Sequence, residues 1–149
     1  MNGLKRVGAL PWRVKEGELE VMLVTSRRRG RWILPKGKAR RSEEPWMAAA
    51  REAAEEAGLH GQVSEFACGE YLTTSSKTFP QKYYIVTVYP LEVTSVVDKW
   101  PEDWFRRRMW VKAFEAGTVT NPEIARVINN FAASPEAVCA LRGDRGIKA

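Results

Sequence analysis

The sequence predicts an α+β fold in a single domain. Stretches rich in β-branched and aromatic residues alternate with helical ones, in the order strands, helix, strands, helix. The chain has 149 residues, enough to bury a sizeable core. No internal repeat or linker divides it. The expected domain is therefore 1–149, with its core at about 5–132 and a flexible tail at 142–149.

Taken in order, residues 4–14 (LKRVGALPWRV) and 19–26 (LEVMLVTS) read as two strands around a turn at 15–18, KEGE. Pro11 has no N–H and predicts an edge strand or a bulge there. Arg27-Arg28-Arg29-Gly30-Arg31 is a very basic loop. It reads either as a flexible surface turn or as a clamp for phosphate. Trp32, Ile33 and Leu34 read as a short buried strand. Pro45 suits the first turn of a helix, where its missing N–H is no loss. Residues 46–57 are mostly Ala, Glu, Arg and Met, all good helix formers. Gly58 fits a left-handed cap, with Leu59 as its apolar contact. Residues 61–76 and 82–94 read as a long hairpin joined by SKTFPQ. Residues 95–104, SVVDKWPEDW, form an irregular loop with two Trp. Residues 106–111 read as a strand opening on three arginines. Alternation puts Arg107 on one face, and Arg106 and Arg108 on the other. A short turn at 112–117 follows. Asn121 caps a helix from Pro122 to about Ala133, whose apolar face holds Ile124, Val127, Ile128 and Phe131. Ser134-Pro135 starts a short helix to Leu141.

Composition excludes several chemistries. The chain is 44% hydrophobic and 28% charged, as for a soluble globular protein. No apolar run approaches the roughly 20 residues of a membrane span, and the first residues lack a signal-peptide core. Cys68 and Cys139 carry no metal-site spacing and suggest reduced thiols in a cytoplasm. His60 is the only histidine and reads as a surface residue, which argues against a triad with His as base. The net charge is +6, so the charge outside the acidic helix suits a polyanion: a small polyphosphate, nucleic acid or acidic lipid.

The helix at 45–57 concentrates the candidate chemistry. At about 100° per residue, Glu52, Glu55 and Glu56 fall on one side. Trp46, Ala50, Ala53 and Ala57 form the neighbouring apolar stripe. Like charges at this spacing repel, and a divalent cation would reverse the sign of that interaction. Oxygen ligands without Cys or His select a hard ion, Mg²⁺ or Mn²⁺. The alternative is a solvated acidic face in which Arg51 pairs with Glu55 at i, i+4.

The segment GKARRSEEPWMAAAREAAEEAGL, 37–59, fills every defined position of G-x5-E-x7-R-E-U-x-E-E-x-G-U, where U is aliphatic, although Ala53 is a small choice for its U position. It resembles the box of the Nudix hydrolase superfamily. The resemblance implies an α/β/α sandwich, with a mixed sheet between the box helix and a C-terminal helix. It implies hydrolysis of a nucleoside diphosphate linked to another group, or of a related pyrophosphate. It implies Gly37 (through its carbonyl), Glu52, Glu55 and Glu56 as metal ligands, and Glu52 or Glu56 as the base. Glu43 would assist, and Arg51 would hold a carboxylate. In some relatives the base lies on a later loop, which leaves Glu70, Asp98, Glu102 and Asp103 open.

Around the box, Arg28, Arg29, Lys36, Lys38, Arg40, Arg41 and Arg107 are candidates for contacting substrate phosphates. The GLHG after the box, the Lys5-Arg6 pair and P-E-x-W-F-R-R-R-M-W-V are similar to the diphosphoinositol polyphosphate phosphohydrolase branch, which also takes diadenosine polyphosphates. Pro35-Lys36-Gly37-Lys38 departs from that branch, which has a glycine triplet there. Two other readings stand beside this one. One is a nucleotide-pool or RNA 5′-end pyrophosphohydrolase with a Trp stacked on a base. The other is a catalytically silent domain that binds nucleotide or nucleic acid as a regulator.

Overall fold

The computed structural model describes residues 4–75 and 80–143. Strands β1 (Leu4–Lys15) and β2 (Glu18–Thr25) form an antiparallel hairpin in the register Trp12↔Val21 to Lys15↔Glu18. Glu16 and Gly17 both have positive φ, 52° and 77°. Two left-handed central residues make the type I′ turn, whose twist matches that of the strands it joins.

Beyond this register β1 and β2 diverge, and the next segment fills the wedge. β3 (Trp32–Ile33) pairs with β2 at Val24↔Ile33, and β4 (Lys36–Gly37) pairs with β1 at Val7↔Gly37. Leu34, between them, is fully buried. The strand foreseen at 32–34 is thus two residues long and only half-buried, with Leu34 past its end.

Pro11 sits differently from the sequence expectation. β1 is central, not an edge: β7 (Lys82–Val96) runs parallel to it along Leu4↔Tyr84 to Trp12↔Glu92. On its other side β1 exchanges partners, from β4 at Val7 and Gly8 to β2 at Trp12. Pro11 falls in that interval, where an absent N–H costs no ladder bond. Pro90 lies in the matching interval of β7, between its pairings with β6 and β5.

Helix α1 (Pro45–Ala57) follows the wedge and ends on Gly58, with φ 66°. The single long hairpin expected next is broken in two. β5 (Leu59–Val63) and β6 (Gly69–Ser75) each pair antiparallel with β7. Residues 76–79 of the predicted connection SKTFPQ lie outside the described residues. β8 (Arg108–Lys112) pairs with the outer side of β2 and starts two residues later than expected, because Arg106 and Arg107 belong to the preceding loop. The turn foreseen at 112–117 is one 3-10 stretch, Ala113–Thr118.

The C-terminal helices match the reading closely. α2 (Pro122–Ala132) is capped by Asn121, whose side chain accepts from the Ile124 N–H. α3 (Pro135–Leu141) is capped by Ser134 in the same way, accepting from Ala137. Residues 144–149 of the tail expected to be flexible lie outside the described residues.

The sheet is mixed and carries helices on both faces. Leu10, Trp12, Val21, Leu23, Val86 and Val88 point toward Ile124, Val127, Ile128 and Phe131 of α2. Val7, Ala9, Met22, Val24, Tyr89 and Leu91 point toward Ala48, Ala49, Ala53 and Ala57 of α1. The α/β/α sandwich is therefore the observed fold. The packed stripe of α1 differs from the one expected. Ala48 and Ala49 are fully buried and Ala50 is not, and Glu52 and Glu56 lie within the buried face.

Candidate active site

Methyl groups on α1 let its backbone approach the sheet closely, and this proximity buries two of its glutamates. Glu52 is 8% exposed and Glu56 4%. Both lie beneath β4. The Lys36 N–H donates to Glu56 Oε1 at 3.3 Å. A Cβ at Gly37 would collide with both carboxylate oxygens of Glu52, so glycine there leaves room for that group against the backbone.

Burial pushes the Glu56 carboxyl up to about 9, against the opposing pull of Arg106. The neighbouring Glu52 adds to the upward shift by hydrogen bond and by charge. The pair thus holds a proton that isolated carboxylates would release. Arg106 Nη2 stands 3.8 Å from Glu56 Oε2, and Arg106 Nε donates to Glu102 at 2.7 Å.

Arg51 organises the other carboxylates. It donates to both oxygens of Glu43 at 2.8 and 2.9 Å, to Glu52 at 3.0 Å, to Glu55 at 3.4 Å and to the Lys38 carbonyl at 3.1 Å. The two hydrogen bonds from Arg51 to Glu43, with a third from the Arg40 N–H, hold Glu43 down to about 2. The same partner raises Arg51 above its ordinary value. Glu55 is the outermost of the three helix glutamates and also meets Arg40 at 3.7 Å. The i, i+4 pair of Arg51 and Glu55 exists, but within a network that also holds Glu43 and Glu52.

On the α2 side of the sheet, β4 borders a cleft of about 430 Å³. Arg6, Arg27, Arg28, Arg29, Arg31 and Lys36 line it, with Tyr71, Thr73, Thr74, Gln81, Tyr84 and Asn121. Burial lowers the Lys36 ammonium below its ordinary value, although Glu56 pulls it upward. Arg6 lies over the Tyr84 ring at 4.4 Å.

The residues predicted from sequence divide accordingly. Gly37, Glu43, Arg51, Glu52, Glu55 and Glu56 come together. Arg28, Arg29 and Lys36 line the cleft. Lys38, Arg40 and Arg107 lie outside it: Lys38 and Arg107 are exposed, and Arg40 turns to Glu55. Strand alternation does not apply to Arg106 and Arg107, which precede β8; Arg106 is the arginine that meets the carboxylates, Arg108 reaches the end of α1 and Arg107 is exposed. Among the later-loop acids, Glu102 approaches Glu56 through Arg106. Asp103 accepts from the Trp100 N–H, and Glu70 engages Arg126 through its carbonyl. Sequence reasoning missed Tyr71, Tyr84 and the cleft role of Arg6. The signal available was their parity on paired strands: Arg6↔Val86 and Tyr71↔Val86 place Arg6, Tyr71 and Tyr84 on one face.

The irregular loop 97–107 is anchored to the end of α1. Trp100 Nε1 donates to the Glu56 carbonyl at 2.8 Å, and Arg108 Nη1 to the Ala57 carbonyl at 2.7 Å. Arg108 stacks on Trp100 at 3.9 Å. These donors satisfy carbonyls that a helix end leaves open, and the arginine complements the dipole. Trp104, in contrast, is 80% exposed, with its ring 4.4 Å from Phe105.

The donor set suits a hard divalent cation. It is built of oxygen alone, and the protonated Glu52–Glu56 pair is an arrangement that a cation relieves. Among the described residues, no three acidic, His or Cys side chains already converge as a cation cage. Arg51 lies among Glu43, Glu52 and Glu55 instead.

Residues 4–131 match the NUDIX domain family. The chain is 37% identical over 114 residues to the chloroplastic Nudix hydrolase 21 of Arabidopsis thaliana, covering 74% of this chain and 56% of that protein. It is 37% identical over 115 residues to the diphosphoinositol polyphosphate phosphohydrolase 3-beta of Homo sapiens, covering 75% and 66%. It thus spans between about half and two thirds of the length of these curated relatives. The crystal structure of the C. elegans Ap4A hydrolase superposes with a TM-score of 0.62 over 89% of this chain and 98% of that one, at 20% identity. That likeness concerns the fold. Family members generally use divalent metal ions. The box helix laid against β4, the sandwich around it and the match along nearly the whole described chain lead to one conclusion: this chain belongs to the NUDIX domain family.

Proposed function

We propose that this chain is a metal-dependent pyrophosphohydrolase acting on a densely charged small-molecule polyphosphate, a diphosphoinositol polyphosphate or a diadenosine polyphosphate. The observation that carries the reading is the adjacency of two surfaces. A buried carboxylate pair lies on one side of Lys36–Gly37, and a cleft with five arginines lies on the other. The name of the human relative, a diphosphoinositol polyphosphate phosphohydrolase, supports the first of these substrates.

Glu52, Glu55, Glu56 and the Gly37 carbonyl are the residues that would hold the ion, Mg²⁺ or Mn²⁺. When bound, it neutralises phosphate charge and lowers the pKa of a coordinated water. The chain's own groups do the rest. Arg28, Arg29 and Lys36 bind phosphate oxygens and keep the chain to be cut in the cleft. Glu56 or Glu52 accepts the water's proton. Burial, with Glu52 beside it, raises the proton affinity of Glu56, as a base working near neutral pH needs. Glu43 fixes Arg51, which in turn orients Glu52. The reading includes one domain spanning 1–149 and a reducing, cytoplasmic setting, which the two free cysteines support.

Trp104 favours a second reading. An exposed indole set edge-on to Phe105, itself 4.9 Å from the guanidinium of cleft residue Arg27, offers a free face for a nucleobase. This suits a nucleotide-pool or RNA 5′-end pyrophosphohydrolase.

A substrate panel separates the readings. Loss of substrate and the products formed are followed by chromatography, with Mg²⁺ and with Mn²⁺, for a diphosphoinositol polyphosphate, a diadenosine polyphosphate, ADP-ribose and a nucleoside triphosphate. The first two are expected to be cleaved best. Arg28→Glu with Arg29→Glu should raise KM for them far more than for ADP-ribose. Trp104→Ala should affect only substrates that carry a base. Polyphosphate binding without turnover on any substrate would leave a silent binding domain.

A further inference from the structure

The floor of the cleft contains a group that the foregoing chemistry does not use. Tyr71, on β6, is 3% exposed and lines the cleft. Its hydroxyl is fully buried and has no hydrogen-bond partner among the described residues. Its ring packs in the core facing α2, with Val86 on the paired strand. A phenol oxygen buried without a partner is a cost that folding alone does not repay. Phenylalanine would fill the same space without it.

Three features say what would meet this hydroxyl. First, the Lys36 ammonium lines the same cleft, is largely buried, and makes no ion pair with any described residue. Second, Arg6 lines the same cleft from the adjacent face position of β1. Third, burial, with a smaller contribution from the charge of Glu56, disfavours the phenolate. The hydroxyl is therefore a neutral donor on a residue that lines the same cleft as two cations. An anion with several acceptor oxygens suits that place. A carboxylate or an apolar group would leave part of the donor set unmet.

We propose that Tyr71 is a substrate-contacting residue, whose hydroxyl donates to a non-bridging oxygen of the phosphate that Lys36 also engages. The proposal deepens the function above and rests on its assignment of the cleft, but not on turnover. A neutral donor here adds a directional hydrogen bond without adding charge. It selects a tetrahedral oxyanion at one depth of the cleft, where arginines at the rim only attract.

The test is Tyr71→Phe, which keeps the ring and removes one oxygen. Three readouts are taken on wild type and variant. These are the midpoint of thermal unfolding, the affinity for tripolyphosphate by calorimetry in chelator, and kcat and KM on the panel above. The expected result is a loss of about ten- to a hundredfold in affinity and in kcat/KM, as for one hydrogen bond to a charged group. The midpoint is expected to stay level or rise, because an unmet buried oxygen has gone. Unchanged affinity and kcat/KM would overturn the proposal, as would a lower midpoint with affinity retained, since the hydroxyl would then be structural. Failure of the wild type to bind tripolyphosphate would overturn it too. Binding that weakens in Tyr71→Phe, with no turnover by wild type on any substrate, upholds the subsite and removes the enzymatic reading instead.

Discussion

Glu56 joins the electrostatics of the site to its chemistry, since it is buried, beside a second carboxylate and opposite Arg106. Glu52→Gln and Glu56→Gln each replace a proposed metal ligand or base by a near-isosteric amide. Steady-state turnover is expected to fall at least about a hundredfold in both, with the circular dichroism spectrum unchanged. Glu56 also sets a pH dependence of stability. Its folded value, about 9, lies above the ordinary 4.5, so the metal-free native state binds the proton more tightly than the unfolded chain does. This contribution is complete below about pH 4.5 and is lost as pH rises toward 9. In chelator, the thermal midpoint of the wild type should therefore decline between pH 6 and 9 more steeply than that of Glu56→Gln. Parallel curves would refute the assignment. Glu43 behaves in the opposite sense. Its value is held down to about 2, so its contribution is present above pH 4.5 and is lost as the solution is acidified through 2.

Two elements meet through glycines, and the two glycines predict different failures. A Cβ at Gly37 meets only the end of the Glu52 side chain, which can swing away. Gly37→Ala should thus leave the thermal midpoint nearly unchanged while turnover falls about as far as in Glu52→Gln. A Cβ at Gly61, at the bulge where β5 meets β7, would strike the Glu92 backbone carbonyl, which cannot move without breaking the ladder. Gly61→Ala should lower the midpoint by at least about 5 °C, with kcat per folded molecule unchanged. A combined measurement of melting and active-site-normalised turnover tells the two apart. Equal effects in both variants would mean that β4 and β5 do not have these separate duties.

At the scale of the molecule, a cleft lined by five arginines and Lys36 lies beside an acidic helix, and only the tertiary arrangement brings the two together. Mg²⁺ or Mn²⁺ should raise the thermal midpoint, because the folded carboxylates bind it and the unfolded chain does not. The gain should grow from pH 6 to 8, since the cation displaces the proton held by the Glu52–Glu56 pair. Activity should vanish in chelator and return with the ion. Full activity after exhaustive chelation would disprove the metal-dependent reading.

What the sequence determined by itself is what depends on near neighbours. The box helix was legible from Pro45, its helix formers and Gly58, and α2 and α3 from Asn121-Pro122 and Ser134-Pro135. Caps, turns and the spacing of Glu52, Glu55 and Glu56 are local properties, so residue order suffices to state them. The tertiary structure alone decided what depends on partners far along the chain. Pro11 reads as an edge signal, yet it lies within a central strand because β4 and β2 take turns beside β1. One hairpin arm became β5 and β6 because β7 is long enough to pair with both. Arg106 instead of Arg107 reaches Glu56 because β8 begins only at Arg108, leaving Arg106 in a loop that folds over the helix end. Tyr71 reads as an ordinary strand aromatic. Only the meeting of β1, β4, β6 and α2 around it makes it line the cleft and leaves its hydroxyl buried without a hydrogen-bond partner among the described residues.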